Sequence, residues 1–579
     1  MPTFRGKSWR GAPARRAGHG CGCAGPVRRA FRLCSVAAIL ALVVGLAAQV
    51  PVHHPIATGS PTAQAAFDRG LALVYAFNFR AAEAAFRQAS AKDPTEPMPY
   101  WGLALALGPN LNARQPSPAA ARNATDALAK ARELAASLPE DAEGAEERGY
   151  IEALTLRLSC DPHPAYLHLE SAYGEAMQRL AATYPSDPDA ATLYAESLME
   201  QRGWRAWIHG GGSSLPSGEV LAALARVLQR WPDHLGANHL YIHATDGAGH
   251  PERALESAAV LERLGAAFPG DGHLLHMPAH VYLRLGRFAE AERASVAAAG
   301  TDRAYLGAHP EDSSYAGSYY LHNLRFLAYA ASMSGDFPAA RKAAQELVSG
   351  AQRFESARGE HASDSVAFLA VLVRFARWQD ILATPQPDDA ALSIFPGRSG
   401  PRSDHRDADS NYAYYWHFAR ASALAAAGNV SGALEQTQHL RAPGRSYPPT
   451  LAPRLPSPAT SDLAALLAAA RVNIARHRWA EAIAELRNAV SIGDSLPAAD
   501  PPPWYPVRET LGATLLLAGR SAEAAQVFRD ALARIPGDPR ALYGLWQSLL
   551  ATGDAADAAR ARQEFTAAWK GGPLAVRDF

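Results

Sequence analysis

Two segments at opposite ends of the chain repeat one pattern of small, aromatic and helix-stopping residues. In "RGLALVYAFNFRAAEAAFRQASAKDP" Gly70, Ala82, Phe86, Ala89 and Pro94 stand at the same offsets as Gly512, Ala524, Phe528, Ala531 and Pro536 in "LGATLLLAGRSAEAAQVFRDALARIP". Apolar residues between these points recur with a helical period. Small residues at such intervals let two helices of a hairpin approach closely, the aromatic wedges against the next hairpin, and proline stops the second helix. A chain built this way stacks helix pairs and has little use for strands.

The offsets are those of a tetratricopeptide repeat. Weaker copies lie between, marked by Gly286 and Ala291, Gly335 and Ala340, Gly428 and Ala433, and Ala482 and Ala489. The expected fold is all-α, with tetratricopeptide-like helical-hairpin repeats forming a solenoid. Residues 384–410 and 441–461 break the rhythm with dense Pro, Gly and Ser and predict long loops. The expected regions are therefore an export leader or anchor (1–65), an N-terminal helical region (66–215), a histidine-rich helical region (216–350), a helical region with long loops (351–461) and C-terminal repeats (462–579).

The first 32 residues are rich in Arg and Lys, and an uncharged stretch, "LCSVAAILALVVGLAAQVP", follows from Leu33 to Pro51. This is an export segment. Arg28 and Arg29 precede the apolar run as in a twin-arginine signal, and Ala63–Ala65 offers a small-residue cleavage site. Uncleaved, residues 33–51 are almost long enough to anchor the chain in the inner membrane. Either way the chain is expected to work outside the cytoplasm, as a periplasmic or secreted protein. Cys21, Cys23 and Cys34 lie in the leader, so Cys160 alone remains and no internal disulfide is expected. Lys plus Arg balance Asp plus Glu, 56 against 56, which argues against nucleic acid as a partner.

Histidine is unevenly spread. Of 20 in the chain, seven (His234, His239, His243, His250, His273, His276 and His280) fall within 47 residues. His239 and His243 share a helix face, as do His273, His276 and His280. Neutral imidazole is the commonest ligand for zinc, copper and iron, and an i, i+4 pair on a helix can hold one ion. A zincin helix needs Glu directly after its first His, and here Leu240 follows His239, which argues against a metalloprotease. Pro278 suggests a helix starting near Met277, with His273 and His276 in the preceding loop. Asp233, Asp246, Asp271 and Glu196 are candidate supporting carboxylates. His322 and His417, in aromatic-rich stretches, read as core rather than ligands, and Gly210–Ser214 reads as a turn and not a phosphate loop.

The segments "PDHLGANHLYIHATDGAGHPERAL", "GHLLHMPAHVYLRLGRFAEA", "YYLHNLRFLAYAASMSG" and "PPPWYPVRETLGATLLLAGRSAEA" resemble those of a family of large bacterial tetratricopeptide proteins, often with export leaders. Trp504, Tyr505 and Arg508 belong to the last of these. The resemblance implies an all-helical repeat fold and neither a reaction nor a set of catalytic residues. Asp246 and Gly247 stand where that family favours glutamate followed by alanine, which leaves the metal question open. Two functions remain. One is an exported binding protein whose concave groove holds a protein, peptide or small-molecule ligand. The other is a protein or enzyme that binds one transition-metal ion (zinc, copper or iron) through His239, His243, His276 and His280, with His273 in reserve.

Overall fold

The computed structural model describes residues 52–161, 165–202, 217–246, 249–268, 271–354, 364–385, 405–440, 458–496 and 505–579. Most of the leader, Gly210–Ser214, Gly247, Trp504 and the greater part of both Pro/Gly-rich segments lie outside these residues. Among the described residues the chain is helical from Pro61 to Ala568, and an isolated bridge between Asn110 and Ala113 is the sole β pairing.

The repeat positions explain the packing. Phe86 is fully buried between two glycines: a Cβ on Gly70, in its own hairpin, would lie 2.6 Å from the ring, and one on Gly102, in the next helix, 2.3 Å. Phe528 is held in the same way between Gly512 and Gly544. Ala82, Ala89, Ala524 and Ala531 are buried at the remaining contact positions. The intermediate copies obey the same logic, with Ala291, Ala340, Ala433, Ala482 and Ala489 all fully buried. The molecule is therefore a stack of tetratricopeptide-like helical hairpins. Eight of the hairpin turns use one residue in the left-handed region. Gly286, Gly335, Gly428, Gly519 and Gly553 fill it at φ between 69° and 92°, but Phe77, Ala376 and His477 fill it without glycine's freedom.

One hydrophobic core runs from Val52 to Met333, across the boundary expected at 215. A second gathers residues from Val366 to Phe579, across the boundary expected at 461. Three expectations need correction. The segment before residue 65 is part of the folded unit: Val52, His54 and Ile56 are buried, and Ala63–Ala65 lies inside the Pro61–Tyr75 helix, capped by Ser60. Cleavage after Ala65 would remove those core residues. The expected loops are shorter, because helices occupy His405–Ala426 and Pro458–Ala475. Pro278 does not open its helix. The helix runs from Gly272 to Arg284, with Asp271 as its N-cap and Pro278 inside it. Proline there has no N–H for the Leu274 carbonyl, a cost accepted in mid-helix.

Candidate metal centre

Asp271 starts the second histidine helix by accepting hydrogen bonds from the backbone N–H groups of His273 (2.9 Å) and Leu274 (3.3 Å). Helical spacing then sets His273, His276 and His280 on one face, looking toward the first histidine helix, Leu235–Asp246. All five imidazoles are buried, but they do not converge on one point. They form two sets. In the first, His239 Nε2 lies 3.0 Å from His243 Nε2 and 3.2 Å from His273 Nε2. In the second, His276 Nε2 lies 2.9 Å from His280 Nε2, and His322 from the Leu321–Ser334 helix completes the group. Within each set the candidate ligand atoms fall within 4.8 Å of one another.

His273 is thus a member of the first set and no reserve, while His276 and His280 belong to the second. His322, expected as core, faces both of them, with ring centroids 4.7 Å from His276 and 5.7 Å from His280. His417 does behave as packing: it stacks on His439 at 4.3 Å and pairs with Gln436.

The first set has a defined tautomer at its centre. His239 Nδ1 is 2.5 Å from the Tyr75 carbonyl oxygen, which can only accept, so Nδ1 carries the proton and Nε2 presents a lone pair. That single lone pair can take one good N–H, yet two imidazole nitrogens crowd it at hydrogen-bond distance. His273 Nδ1 is buried with no hydrogen-bond partner among the described residues. Burial holds His239 neutral, its pKa lowered to about 4 against the pull of the Tyr75 carbonyl, and burial with repulsion between neighbouring imidazoles pushes His243 and His273 well down. Three neutral nitrogens tetrahedrally placed at metal bond lengths of about 2.0 Å would stand about 3.3 Å apart, close to the two spacings measured from His239 Nε2. A backbone carbonyl holding Nδ1–H is also the usual support for a ligating imidazole.

A residue absent from the sequence expectation closes this site. Phe77 occupies the left-handed turn position at φ 61°, where five of the other hairpins have glycine. Its ring lies 4.4 Å from His239, is nearly parallel to His243 at 5.9 Å, and stacks on His273 at 5.6 Å. A non-glycine residue in this conformation costs about 1–3 kcal/mol, and such strain gathers at functional sites. Tyr319 locks the turn by donating its hydroxyl to the Phe77 carbonyl at 2.9 Å, while its own ring lies 4.9 Å from His273. Tyr319 sits in a π-helical turn, Ala316–Tyr320, which re-registers the helix that carries His322. The turn position offered a sequence signal, "YAFNF" against "RLGRF", that the histidine count overshadowed.

The four candidate carboxylates separate. Asp246 supports the second set, 3.7 Å from His280 Nδ1 and 2.8 Å from Arg284 Nε; burial alone would raise its pKa, but His280 and Arg284 hold it low. Asp271 caps the second helix. Asp233 pairs with Arg263 at the surface, and Glu196 is buried near Arg157, its pKa raised to about 7 by burial.

Another buried cluster joins His54, Asp187 and Asp189. Asp189 Oδ2 accepts from His54 Nδ1 at 2.9 Å, and Oδ1 accepts from the Tyr75 hydroxyl at 2.5 Å and from His234 Nε2 at 3.1 Å. His234 Nδ1 in turn accepts from the Ala237 N–H, so both its nitrogens are partnered. This cluster is a saturated hydrogen-bond knot.

No family model matches the sequence, and no curated protein matches it. Among solved structures the chain is similar to a human IFIT1 dimer with m7Gppp-AAAA at 13% identity and a TM-score of 0.30, over 81% of this chain and 89% of that one. It is also similar to yeast Tom70 at 13% identity and a TM-score of 0.32, over 87% of this chain and 99% of that one. Overlaps this low say nothing of what this chain binds.

Proposed function

We propose that this chain is an exported metal-binding protein of the helical-repeat type, in which His239, His243 and His273 hold a transition-metal ion. The observation that carries the reading is the convergence of three buried Nε2 atoms around a histidine whose tautomer is set by the Tyr75 carbonyl. Zinc, copper and iron all suit such imidazole donors. Export is supported by the arginine-rich N-terminal segment and the uncharged stretch that follows it.

The test is metal analysis of protein purified without an affinity tag. The expected result is bound metal that a chelator removes, with a fall in melting temperature that the returning ion reverses. Replacing His239 by alanine abolishes uptake at this set. Protein that carries no metal, and whose melting temperature no added ion changes, overturns the reading.

The wider reading, a scaffold for a protein, peptide or small ligand, has one observation in its favour. Trp546, Leu550, Ala555, Ala558 and Arg562 line a depression of about 630 Å³ between the last two helices, with Leu550 half exposed. The histidines offer no such groove, since they lie inside the core.

A further inference from the structure

We infer that the protein holds two monovalent copper ions side by side, the second bound by His276, His280 and His322. This rests on the reading of the first histidine set as a metal site and extends it.

The two sets are built alike. Each takes an i, i+4 pair from one helix and a single histidine from a later one: His239 and His243 with His273, then His276 and His280 with His322. The Gly272–Arg284 helix serves both, which places the sets next to each other. Ring centroids of His273 and His276 are 6.0 Å apart, and those of His243 and His280 are 5.8 Å apart. Six imidazoles thus form one continuous cluster among Phe77, Tyr319 and Phe326, the last lying 4.3 Å from His276 and 4.5 Å from His280. Asp246 lies 3.7 Å behind His280 Nδ1, on the side where His239 has the Tyr75 carbonyl hydrogen-bonded at 2.5 Å. His276 Nδ1 is buried with no hydrogen-bond partner among the described residues, repeating the situation of His273. A chain selecting only for packing has no reason to repeat buried, under-partnered imidazoles in this pattern.

Charge chooses the ion. All six donors are imidazole nitrogens, which bind a metal in their neutral form, with no thiolate or carboxylate among them, and the Asp246 carboxylate is paired with Arg284. Ion desolvation grows with the square of the charge, so a monovalent ion costs about a quarter of what a divalent ion of the same size costs in this interior. Two divalent ions would bring four uncompensated charges into an aromatic-lined core. Copper(I) brings two and accepts imidazole donors.

The experiment is an anaerobic titration of tag-free apo protein with copper(I) against a chromophoric copper(I) chelator, with zinc run in parallel. Wild type, His322→Ala and His243→Ala are compared, and unchanged helicity by circular dichroism shows that each variant is folded. Two copper(I) ions per wild-type chain and one in each variant are expected. One ion in wild type and one in His322→Ala overturns the second site and leaves the first reading standing. Two zinc ions with no copper(I) uptake overturns the choice of ion. No ion of either kind in wild type overturns this inference and the first reading together.

Discussion

Two buried histidine clusters lie on either side of Tyr75, and they are made in opposite ways. In the knot, Asp189 supplies acceptors for His54, His234 and the Tyr75 hydroxyl, so charge and hydrogen bonds are satisfied within the protein. In the paired sets, imidazole faces imidazole at 2.9–3.2 Å, and His273 Nδ1 and His276 Nδ1 are buried with no hydrogen-bond partner among the described residues. The same side chain is tied to a carboxylate in one place and set against its own kind in the other. Its neighbours decide which.

Three measurements test the difference between the knot and the paired sets. The largest effect is expected at the knot: Asp189→Ala leaves a buried imidazolium and two further donors without an acceptor, and urea unfolding should show a loss of about 3–5 kcal/mol. A loss below 1 kcal/mol would remove the distinction. Next comes pH. His54 is raised to about 9: burial opposes its charge, but Asp189, Asp187 and Glu146 outweigh burial. Its stabilisation is full below the unfolded value of 6.5 and fades as pH rises through 9. Glu147, raised to about 8 by burial and by Glu96, runs the same way, because its deprotonation in the fold is unfavourable above its unfolded value of 4.5. Metal-free protein should therefore lose stability between pH 6.5 and 9, and Asp189→Asn should flatten that slope. A wild-type profile rising over this range would refute it. The smallest effect is expected in the paired sets, where His243→Gln keeps a hydrogen-bonding side chain of similar size and should change metal-free stability by less than about 1 kcal/mol while lowering copper uptake. A loss comparable with that of Asp189→Ala would make the sets structural.

Much of the fold was legible because repeat packing is local. Phe86 and Phe528 announce their glycine partners at fixed offsets, and the turn glycines follow the same register. The density of histidines was legible too. Their division into two sets was not, because spacing gives a residue's face on its own helix and says nothing of which helix comes opposite. His322, 42 residues beyond His280, joins through a π-helical turn that no periodicity predicts. His54 was hidden further still, lying just beyond the uncharged stretch with its partner Asp189 135 residues away. Pro278 misled because a proline in mid-helix is the less common case, and here Asp271 had already set the start.

The His239–Tyr75 bond also has a consequence for how the protein comes to exist. Those residues are 164 apart in sequence, and the turn bearing Phe77 closes the first set from the far end of the chain. A nascent chain emerges with its first hairpin waiting for the two histidine helices, and the third helix, with His322, comes later still. Long-range closure of this kind is slow and is completed last. The cluster can therefore take its final form only once the N-terminal segment has docked, so a competent site doubles as a record that more than half the chain has folded correctly.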